Sequence, residues 1–540
     1  MRACHRRNVY CHGLCLKLTA YLTERFFTLA ANSRQEAKID LKKKENKEVT
    51  VMKFRIMLIL ISVMLTVPVA QAQEPLPQRT PETDAEALRL MRNDKFDLIL
   101  PGAMRNNNVD MWIHVTRRGD PDPLALLFGS TYGYLVFTDL GDRIERAVFG
   151  GEGAVENIDI RSSADFARAI GPQGEGFRVS EEYGEEAGYI YVPYPREDPN
   201  IYNEFREFVA KRDPQSIAVN TSGWIVQSDG ISHSEYLRLI KILGPDYSER
   251  IVSAEAVISD FVIGRTAREV AAQVEVLALA RQTAKQRLSQ VVPGKTTAGE
   301  IGARIYYSAV NAPDKTVETS PPDVRWFFRD PDYVLQRGDL FAGGGGPGGN
   351  YMGFGVDTKI HAYILREGET KVPDFLQRVF DKAIAGQWIM RDHMKVGMTA
   401  GESLEAMVNA MEEAGYIYTP FVNSRGLTPD GKHTLDYLLV QKALAGKGTD
   451  IAGFSIDNHS FGNVGMGNGV IGPSMSGFRP DTHHLKIQEN HLFAFEYMVH
   501  MNIAERPGYP LCFNISNPQI VTSRGVEFIQ PPNEEIYLIH

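Results

Sequence analysis

The sequence predicts an α+β protein with two structural domains, an α/β domain followed by a domain built on an internal duplication. Two observations lead to this prediction. Between residues 81 and 243, short segments rich in β-branched and aromatic residues alternate with amphipathic helical segments. Beyond residue 246, the motif TAGE occurs at residues 297–300 and again at 399–402, each time between two segments of helical periodicity. Such a repeat indicates two α-α-β units related by a pseudo-twofold axis.

The first domain is predicted to span residues 73–245, and the Gly-Pro-Asp sequence at residues 244–246 marks its end. Its alternating pattern is typical of an α/β sandwich, and no compact cluster of catalytic residue types occurs in it. The pattern predicts helices over residues 84–92, 201–210 and 234–243, and strands over residues 111–115, 134–138, 146–149 and 216–220.

The second domain is predicted to span residues 246–540. It opens with a long helix over residues 266–289, because Thr266 and Glu269 form a capping box ahead of an apolar stripe. The remaining signals predict helices over residues 301–309, 375–394 and 404–413, and strands over residues 453–456, 492–499, 511–515, 519–522 and 526–529.

A signal peptide is predicted at residues 52–72. Met52 is followed by two basic residues, an apolar run over residues 56–69 and the small-x-small sequence Ala-Gln-Ala at residues 70–72. Residues 1–51 are then a non-native or disordered extension, with a genuine cytosolic tail as the alternative. We therefore expect an exported protein, periplasmic or secreted, with no membrane attachment after cleavage.

Composition limits the partners and the redox chemistry. The chain carries a net charge of −9, and its predicted leader is basic, so the mature protein is more acidic still. Nucleic acid is therefore not an expected partner. Three of the four cysteines lie in the first 15 residues. The fourth, Cys512, lies in an apolar stretch and is expected to be a buried small hydrophobic residue.

The candidate chemistry centres on a glycine-rich hairpin. Residues 339–342 and 351–356 are predicted to form two antiparallel strands on either side of the glycine run 343–346, and Asp357 follows the second strand. Asp357, His459 and Glu496 lie in or near predicted strands and offer a carboxylate, imidazole and carboxylate set that suits zinc, manganese or cobalt. A hydrogen-bonded structural histidine is the alternative for His459.

Several motifs resemble one enzyme family. They are a Gly-Asp-apolar run at 338–342, Y-x-G-x-x-x-D ending at Asp357, HSFG at 459–462, FEY around Glu496 and IVTSRGVEFI at 520–529. This order resembles the pita-bread metallopeptidases, which include Xaa-Pro aminopeptidases, prolidases and creatinases. NVDMWIHVTRRGDPDP at 108–123 and GPSM at 472–475 are similar to the exported bacterial branch. The resemblance implies a creatinase-like first domain, a pita-bread second domain and a homodimer.

The resemblance also implies a metal-ligand set of Asp, Asp, His, Glu and Glu, of which this chain keeps three members. They correspond to Asp357, His459 and Glu496, with His459 as the catalytic candidate. Glycines at 343–346 stand where the first Asp is expected, Ser516 beside Asn517 replaces the last Glu, and Met466 replaces an accessory histidine. The implied centre holds at most one divalent ion, Mn, Co or Zn.

Two main functions follow from this incomplete set. One is an exported metallopeptidase that hydrolyses short, Xaa-Pro-containing peptides with a metal-activated water. The other is an inactive pseudo-peptidase that binds peptides or a partner, and a metal-free hydrolase of the creatinase type is a third. Other polar residues are candidates to replace the lost ligands, although a structural role is favoured for each. They are Asp339, His361, His483, His484 and His500.

Overall fold

The protein is described by a computed structural model covering residues 81–116, 122, 124–128, 133–149, 160–161, 189–192, 199–225, 228–308, 330–343, 354–355, 357–422, 434–460 and 471–540. The chain from Thr80 to His540 forms one compact unit. The predicted extension, the predicted signal peptide, the glycines at 344–346 and Met466 lie outside the described residues. Across the described ranges, no helix combines the length and apolar character that a membrane span requires.

The first half is built on a mixed seven-stranded sheet with the order β4-β5-β3-β2-β1-β6-β7. Strands β1, β2 and β3 form an antiparallel meander, whereas β5, β6 and β7 join it in parallel pairs. The four strands predicted in this half are confirmed. The last strand of the sheet, at residues 251–253, lies beyond residue 245, where the first domain was predicted to end. The strands are β1 (Met111–Thr116), β2 (Gly133–Asp139), β3 (Ile144–Phe149), β4 (Ile160–Arg161), β5 (Tyr189–Val192), β6 (Ile217–Val219) and β7 (Ile251–Ser253).

Helices cover both faces of this sheet. Trp112 and Ile113 are neighbours on β1 and belong to different apolar clusters, as alternation along a strand requires. The helices of this half are α1 (Pro81–Leu98), α2 (Leu100–Asn106), α3 (Ala125–Phe128), α4 (Pro199–Arg212), α5 (His233–Leu243), α6 (Pro245–Ser248) and α7 (Glu255–Ile263). Residues of α1, α2 and α7 pack on one face and residues of α4 and α5 on the other, so the predicted α/β sandwich is confirmed.

A buried ion-pair cluster joins α1 to the start of the next helix, α8 (Ala267–Ser289). The ammonium of Lys95 lies 3.1 Å from Oε1 of Glu269, and Nη1 of Arg265 lies 3.5 Å from the same oxygen. Burial lowers the pKa of Lys95 to about 8 against the opposing attraction of Glu269. Glu269 also closes the predicted capping box with Thr266, which is confirmed.

The repeat in the second half is partly confirmed. Both TAGE motifs form capping boxes, at Thr297 with Glu300 and at Thr399 with Glu402, and each lies between a long helix and a short strand. The helices are α9 (Ala298–Ile301), α10 (Asp374–Arg391), α11 (Ala400–Glu413) and α12 (Leu435–Leu444). The first four strands are β8 (Arg304–Tyr307), β9 (Leu340–Gly343), β10 (Ile360–Ile364) and β11 (Ile417–Tyr418).

The prediction of a helix over residues 301–309 was wrong. The capping box at Thr297 starts a helix of only 4 residues, which ends at Gly302 in the left-handed conformation with φ 62°. The sequence then turns into the strand Arg304–Tyr307. Glycine is the residue that adopts this conformation without strain, and the isoleucine and tyrosines that follow favour a strand.

Three further sheets complete the second half, with the orders β19-β10-β9-β8, β11-β12-β15-β16 and β14-β17-β18, and β13 pairs with β12. The largest apolar cluster lies between the first two sheets and helices α10 and α11. The remaining strands are β12 (Ala452–His459), β13 (Ser474–Ser476), β14 (Leu492–Phe493), β15 (Glu496–Met501), β16 (Leu511–Ser516), β17 (Gln519–Thr522), β18 (Gly525–Phe528) and β19 (Tyr537–Ile539).

The glycine-rich hairpin needs a correction. Strand β9 is antiparallel to its partner as predicted, but that partner is β10, Ile360–Ile364; residues 351–353 and 356 of the predicted strand lie outside the described residues. The described residues Phe354 and Gly355 lie outside the named strands. Asp357 therefore precedes the second strand instead of ending it. The alternation of apolar residues at 351–356 resembles a strand, but the ladder pairs Ile360 with Gly343.

Candidate metal centre

Asp357, His459 and Glu496 come together from three segments. Asp357 lies three residues before β10, His459 ends β12 and Glu496 begins β15. Strands β12 and β15 are antiparallel with Ile456 opposite Tyr497, which places the end of one next to the start of the other. Within the described ranges, this is the one group of three or more acidic, histidine or cysteine side chains able to share a metal ion.

The three side chains face one another with one ligand atom each. Nε2 of His459 lies 3.8 Å from Oδ2 of Asp357 and 3.7 Å from Oε2 of Glu496. All three ligand atoms lie within 4.8 Å of one another. Ligands bound tetrahedrally at about 2.1 Å lie about 3.4 Å apart, so small shifts would let these atoms share one ion. The arrangement fits a single divalent cation.

The backbone around the centre fixes the position of Glu496. Phe495 has φ 47°, a left-handed conformation that is uncommon for a bulky residue, and it separates β14 from β15. The preceding residue, Ala494, donates its amide to the carbonyl of His459 at 2.9 Å. Its own carbonyl accepts a hydrogen bond from Ser516 Oγ at 3.0 Å. The bend before Glu496 is therefore tied to the strand that carries His459.

A second set of contacts orients His459. Its Nδ1 donates a hydrogen bond to the carbonyl of Ser460 at 3.1 Å, because a carbonyl oxygen can only accept. This bond leaves Nε2 directed at the two carboxylates. Burial disfavours protonation of the ring, but the nearby negative charges of Glu496, Asp457 and Asp357 outweigh it and raise the pKa of His459 to about 9. Because a metal-ligating imidazole must be neutral, metal binding here would release a proton.

The sequence interpretation missed Lys359. Its ammonium lies 2.9 Å from Oδ1 of Asp357 and 3.1 Å from Oε1 of Glu496, and its side chain is only 6% exposed. Asn514 Nδ2 also donates to Oε1 of Glu496 at 2.8 Å. A signal was available, because residues two apart on an extended segment project to the same side. Asp357 and Lys359 have that spacing directly before β10.

The chain is similar to known proteins in its fold and not in its sequence. No family model matches the chain, and no curated protein matches it either. Its structural neighbours are Xaa-Pro aminopeptidases and prolidases. An X-Pro aminopeptidase from Thermotoga maritima is 12% identical, with 81% of this chain and 100% of that chain covered and a TM-score of 0.47. An Xaa-Pro dipeptidase from Bacillus anthracis is 14% identical, with 85% and 99% covered and a TM-score of 0.46.

A prolidase from Pyrococcus horikoshii gives a similar result. It is 13% identical, with 85% of this chain and 100% of that chain covered and a TM-score of 0.41. At such identities, and with TM-scores below 0.5, these neighbours carry no weight for activity. The chemistry of the centre has to be inferred from its own residues.

Three described residues at positions where the family resemblance implies lost ligands have other roles. A Cβ added at Gly343 would lie 3.1 Å from the ring of Phe341, so this glycine sits in tight packing. Ser516 Oγ donates to the carbonyl of Asp357 at 2.8 Å. Asn517 donates to Oε1 of Gln387 at 2.6 Å. Ser516 thus binds the backbone of a candidate ligand in place of an ion.

The candidate replacement ligands do not join the centre. Asp339 accepts from the hydroxyl of Tyr333 and the amide of Gln336, both at 2.8 Å. His361 lies among the rings of Tyr306, Phe380 and Phe513. Nε2 of His483 lies 3.0 Å from the carbonyl of Ser476, His484 lies beside the ring of Trp224, and His500 is fully buried on β15. The structural role favoured for these residues therefore agrees with their surroundings.

Proposed function

We propose that this chain is an exported peptidase of the Xaa-Pro aminopeptidase type that works with one divalent ion. The observation that carries the proposal is the convergence of Oδ2 of Asp357, Nε2 of His459 and Oε2 of Glu496 on one point. Three protein ligands with open positions are the usual composition of a catalytic metal site. The motifs around these residues resemble those of metallopeptidases that act on Xaa-Pro peptides.

The chain's own residues hold the centre in place. The carbonyl of Ser460 fixes the ring of His459, Asn514 fixes Glu496 and Ser516 binds the backbone of Asp357. Such supporting contacts orient ligands and are as important to a metal site as the ligands themselves. A divalent ion bound there would supply polarisation of a peptide carbonyl and would acidify water. Among the described residues, no third carboxylate belongs to the group of ligand atoms that lie within 4.8 Å of one another, and Asp457 acts on His459 through its charge.

The broader setting of the proposal comes from sequence features. We propose that residues 52–72 direct export to the periplasm or the medium, and that the mature protein starts at residue 73. Short peptides are the proposed substrates and a homodimer is the proposed assembly, both on the basis of the family resemblance. Mn, Co or Zn is the proposed ion, since oxygen and imidazole ligands suit all three.

A metal and cleavage experiment tests this function. The mature chain is loaded with Mn, Co or Zn in turn, its bound metal is measured, and a library of short peptides is screened for cleavage. We expect about one ion per chain and release of the first residue from Xaa-Pro peptides. His459→Ala should abolish cleavage, whereas His233→Ala, at an exposed position on α5, should leave it unchanged. Absence of stoichiometric metal with all three ions would contradict the proposal.

A second candidate, the inactive pseudo-peptidase, is favoured by the position of Lys359. Its ammonium already compensates Asp357 and Glu496 without an added ion. In that case the mature chain binds peptides without cleaving them. Binding of Xaa-Pro peptides measured by calorimetry, with no metal-dependent turnover, would support this candidate. Turnover that disappears in Glu496→Ala would exclude it.

A further inference from the structure

Each carboxylate of the centre contacts two partners, one through each of its oxygens. One oxygen of Asp357, Oδ1, contacts the ammonium of Lys359 at 2.9 Å, and the other, Oδ2, faces His459 at 3.8 Å. Glu496 repeats this division, with Oε1 at 3.1 Å from the ammonium and Oε2 at 3.7 Å from the imidazole. One side of the pair therefore contacts a cation of the chain itself, and the other side faces the imidazole of His459.

Lys359 is held in this position by its backbone. Nδ2 of Asn533 donates to the carbonyl of Lys359 at 2.9 Å and lies 3.2 Å from Oγ1 of Thr358. The next residue, Ile360, enters β10 and pairs with Gly343. The lysine is thus anchored on both sides, and its side chain lies almost entirely out of water. Its ammonium is a preset part of the centre and not a mobile surface charge.

The charge of Lys359 matters for cation binding. Glu496 is buried and Asp357 is partly buried, so their carboxylates attract a divalent ion strongly, and a neighbouring positive charge reduces that attraction where charges are weakly screened. Both carboxylates also lose one oxygen each to the ammonium, so neither is available to bridge two ions. The geometry therefore predicts that the centre binds one ion, and that it binds this ion less tightly than it would without the charge of Lys359.

We propose that Lys359 is a built-in cation that restricts this centre to a single divalent ion and lowers the affinity for it. The inference rests on the proposed function in so far as Asp357, His459 and Glu496 are taken as the ligands. It makes Lys359 a residue that sets metal affinity and stoichiometry, and it does not depend on whether a peptide is cleaved.

The test compares metal binding by the mature wild-type chain and Lys359→Met, using Mn²⁺ and Zn²⁺ in titration calorimetry and metal analysis of the dialysed protein. Methionine retains the length of the side chain and removes its charge. We expect Lys359→Met to bind the first ion at least tenfold more tightly, which corresponds to about 1.4 kcal/mol. Lys371→Met is the matched control, because Lys371 is exposed and pairs with Asp374 on the surface, and its affinity should equal that of the wild type.

Two additions keep the test decisive. Lys359→Gln retains a hydrogen-bond donor without the charge, so it replaces Lys359→Met if the latter fails to fold by circular dichroism. Combining either variant with His459→Ala should remove the gain in affinity, which would show that the tighter ion binds at this centre. We also expect added Mn²⁺ to raise the Tm of Lys359→Met more than that of the wild type.

The outcomes separate this inference from the proposed function. If the wild type binds one ion and the folded Lys359 variants bind no more tightly, the inference is overturned and the one-metal peptidase stands. If only the variants bind, the inference holds and the metal-dependent function of the wild type fails. If neither binds, both are overturned.

Discussion

The buried cluster of Lys95, Arg265 and Glu269 allows a direct test of how much a buried ion pair contributes to the stability of this fold. Glu269→Gln retains the capping box, because glutamine also serves at the third position of a helix, but it removes the negative charge shared by the two cations. Lys95 and Glu269 are 2% and 0% exposed, so water cannot replace the lost carboxylate. Breaking a buried pair by removing one partner costs about 3–5 kcal/mol.

The chain contains matched controls for this substitution. Glu300 and Glu402 occupy the same position in the two TAGE capping boxes, with no buried cation against either carboxylate among their described contacts. Glu300→Gln and Glu402→Gln lose interactions of an exposed charge with the helix dipole and, for Glu402, with Lys486, and water screens these interactions, so stability should change little. The difference between Glu269→Gln and these controls therefore isolates the buried ion pair from the cap.

Urea unfolding followed by far-UV circular dichroism measures the effect. For a chain of this size, a loss of about 4 kcal/mol lowers the midpoint by about 1 M urea, with the controls within about 0.3 M of the wild type. Adding Lys95→Met to Glu269→Gln should recover part of the lost stability, because it removes one of the two buried cations that no longer have Glu269 as a partner. A midpoint for Glu269→Gln no lower than that of the controls would refute the reasoning.

Three further substitutions test other contacts. Ser516→Ala removes the hydroxyl that lies within hydrogen-bond distance of the carbonyls of Asp357 and Ala494, so we expect unfolding to be easier by about 1–3 kcal/mol in urea titrations, and metal affinity should also fall. Gly453→Ala places a Cβ 2.6 Å from the ring of His500 in the buried β12–β15 pair, which should cost about 1–3 kcal/mol by the same assay. Burial lowers the pKa of His361 from 6.5 to about 3, so the unfolded chain binds a proton that the folded chain does not. The contribution of His361 to the free energy of unfolding therefore falls by up to about 1.4 kcal/mol per pH unit as the pH drops from about 6.5 to 3. In urea titrations at several pH values, His361→Phe should reduce this pH dependence, and the control His233→Phe, at an exposed position, should not.

Signals local in the chain predicted most of the fold. The three capping boxes could be recognised because threonine and glutamate three residues apart satisfy the amides of the same helical turn. Four of the seven strands of the first sheet, and most strands of residues 452–528, follow from runs of β-branched and aromatic residues. The single strand predicted over residues 492–499 is two strands, because the left-handed Phe495 separates β14 from β15. The short helix after Thr297 could not be predicted this way, because its end is set by the left-handed Gly302 and the strand that follows.

The centre was predictable only in part. The structure brings together the three residues that the motifs singled out, Asp357, His459 and Glu496. Lys359 was missed because a lysine before a strand is ordinarily a solvated surface residue. Its spacing from Asp357 was a local signal for one of its two carboxylate contacts, but nothing local shows the contact with Glu496. The second strand of the hairpin was misplaced for a related reason, since its register is set by pairing with β9 and β19 and not by its own alternation.

The position of Lys359 also explains how the chain can keep a carboxylate pair in its interior. Asp357 and Glu496 lie within a few ångströms of each other, and two buried negative charges without compensation would strongly destabilise the fold. Here the ammonium provides that compensation permanently, because it is attached to a strand that pairs with the rest of the sheet. The contact with Lys359 that stabilises the carboxylate pair also weakens its attraction for an ion, so removing the charge of Lys359 should raise metal affinity at the expense of stability.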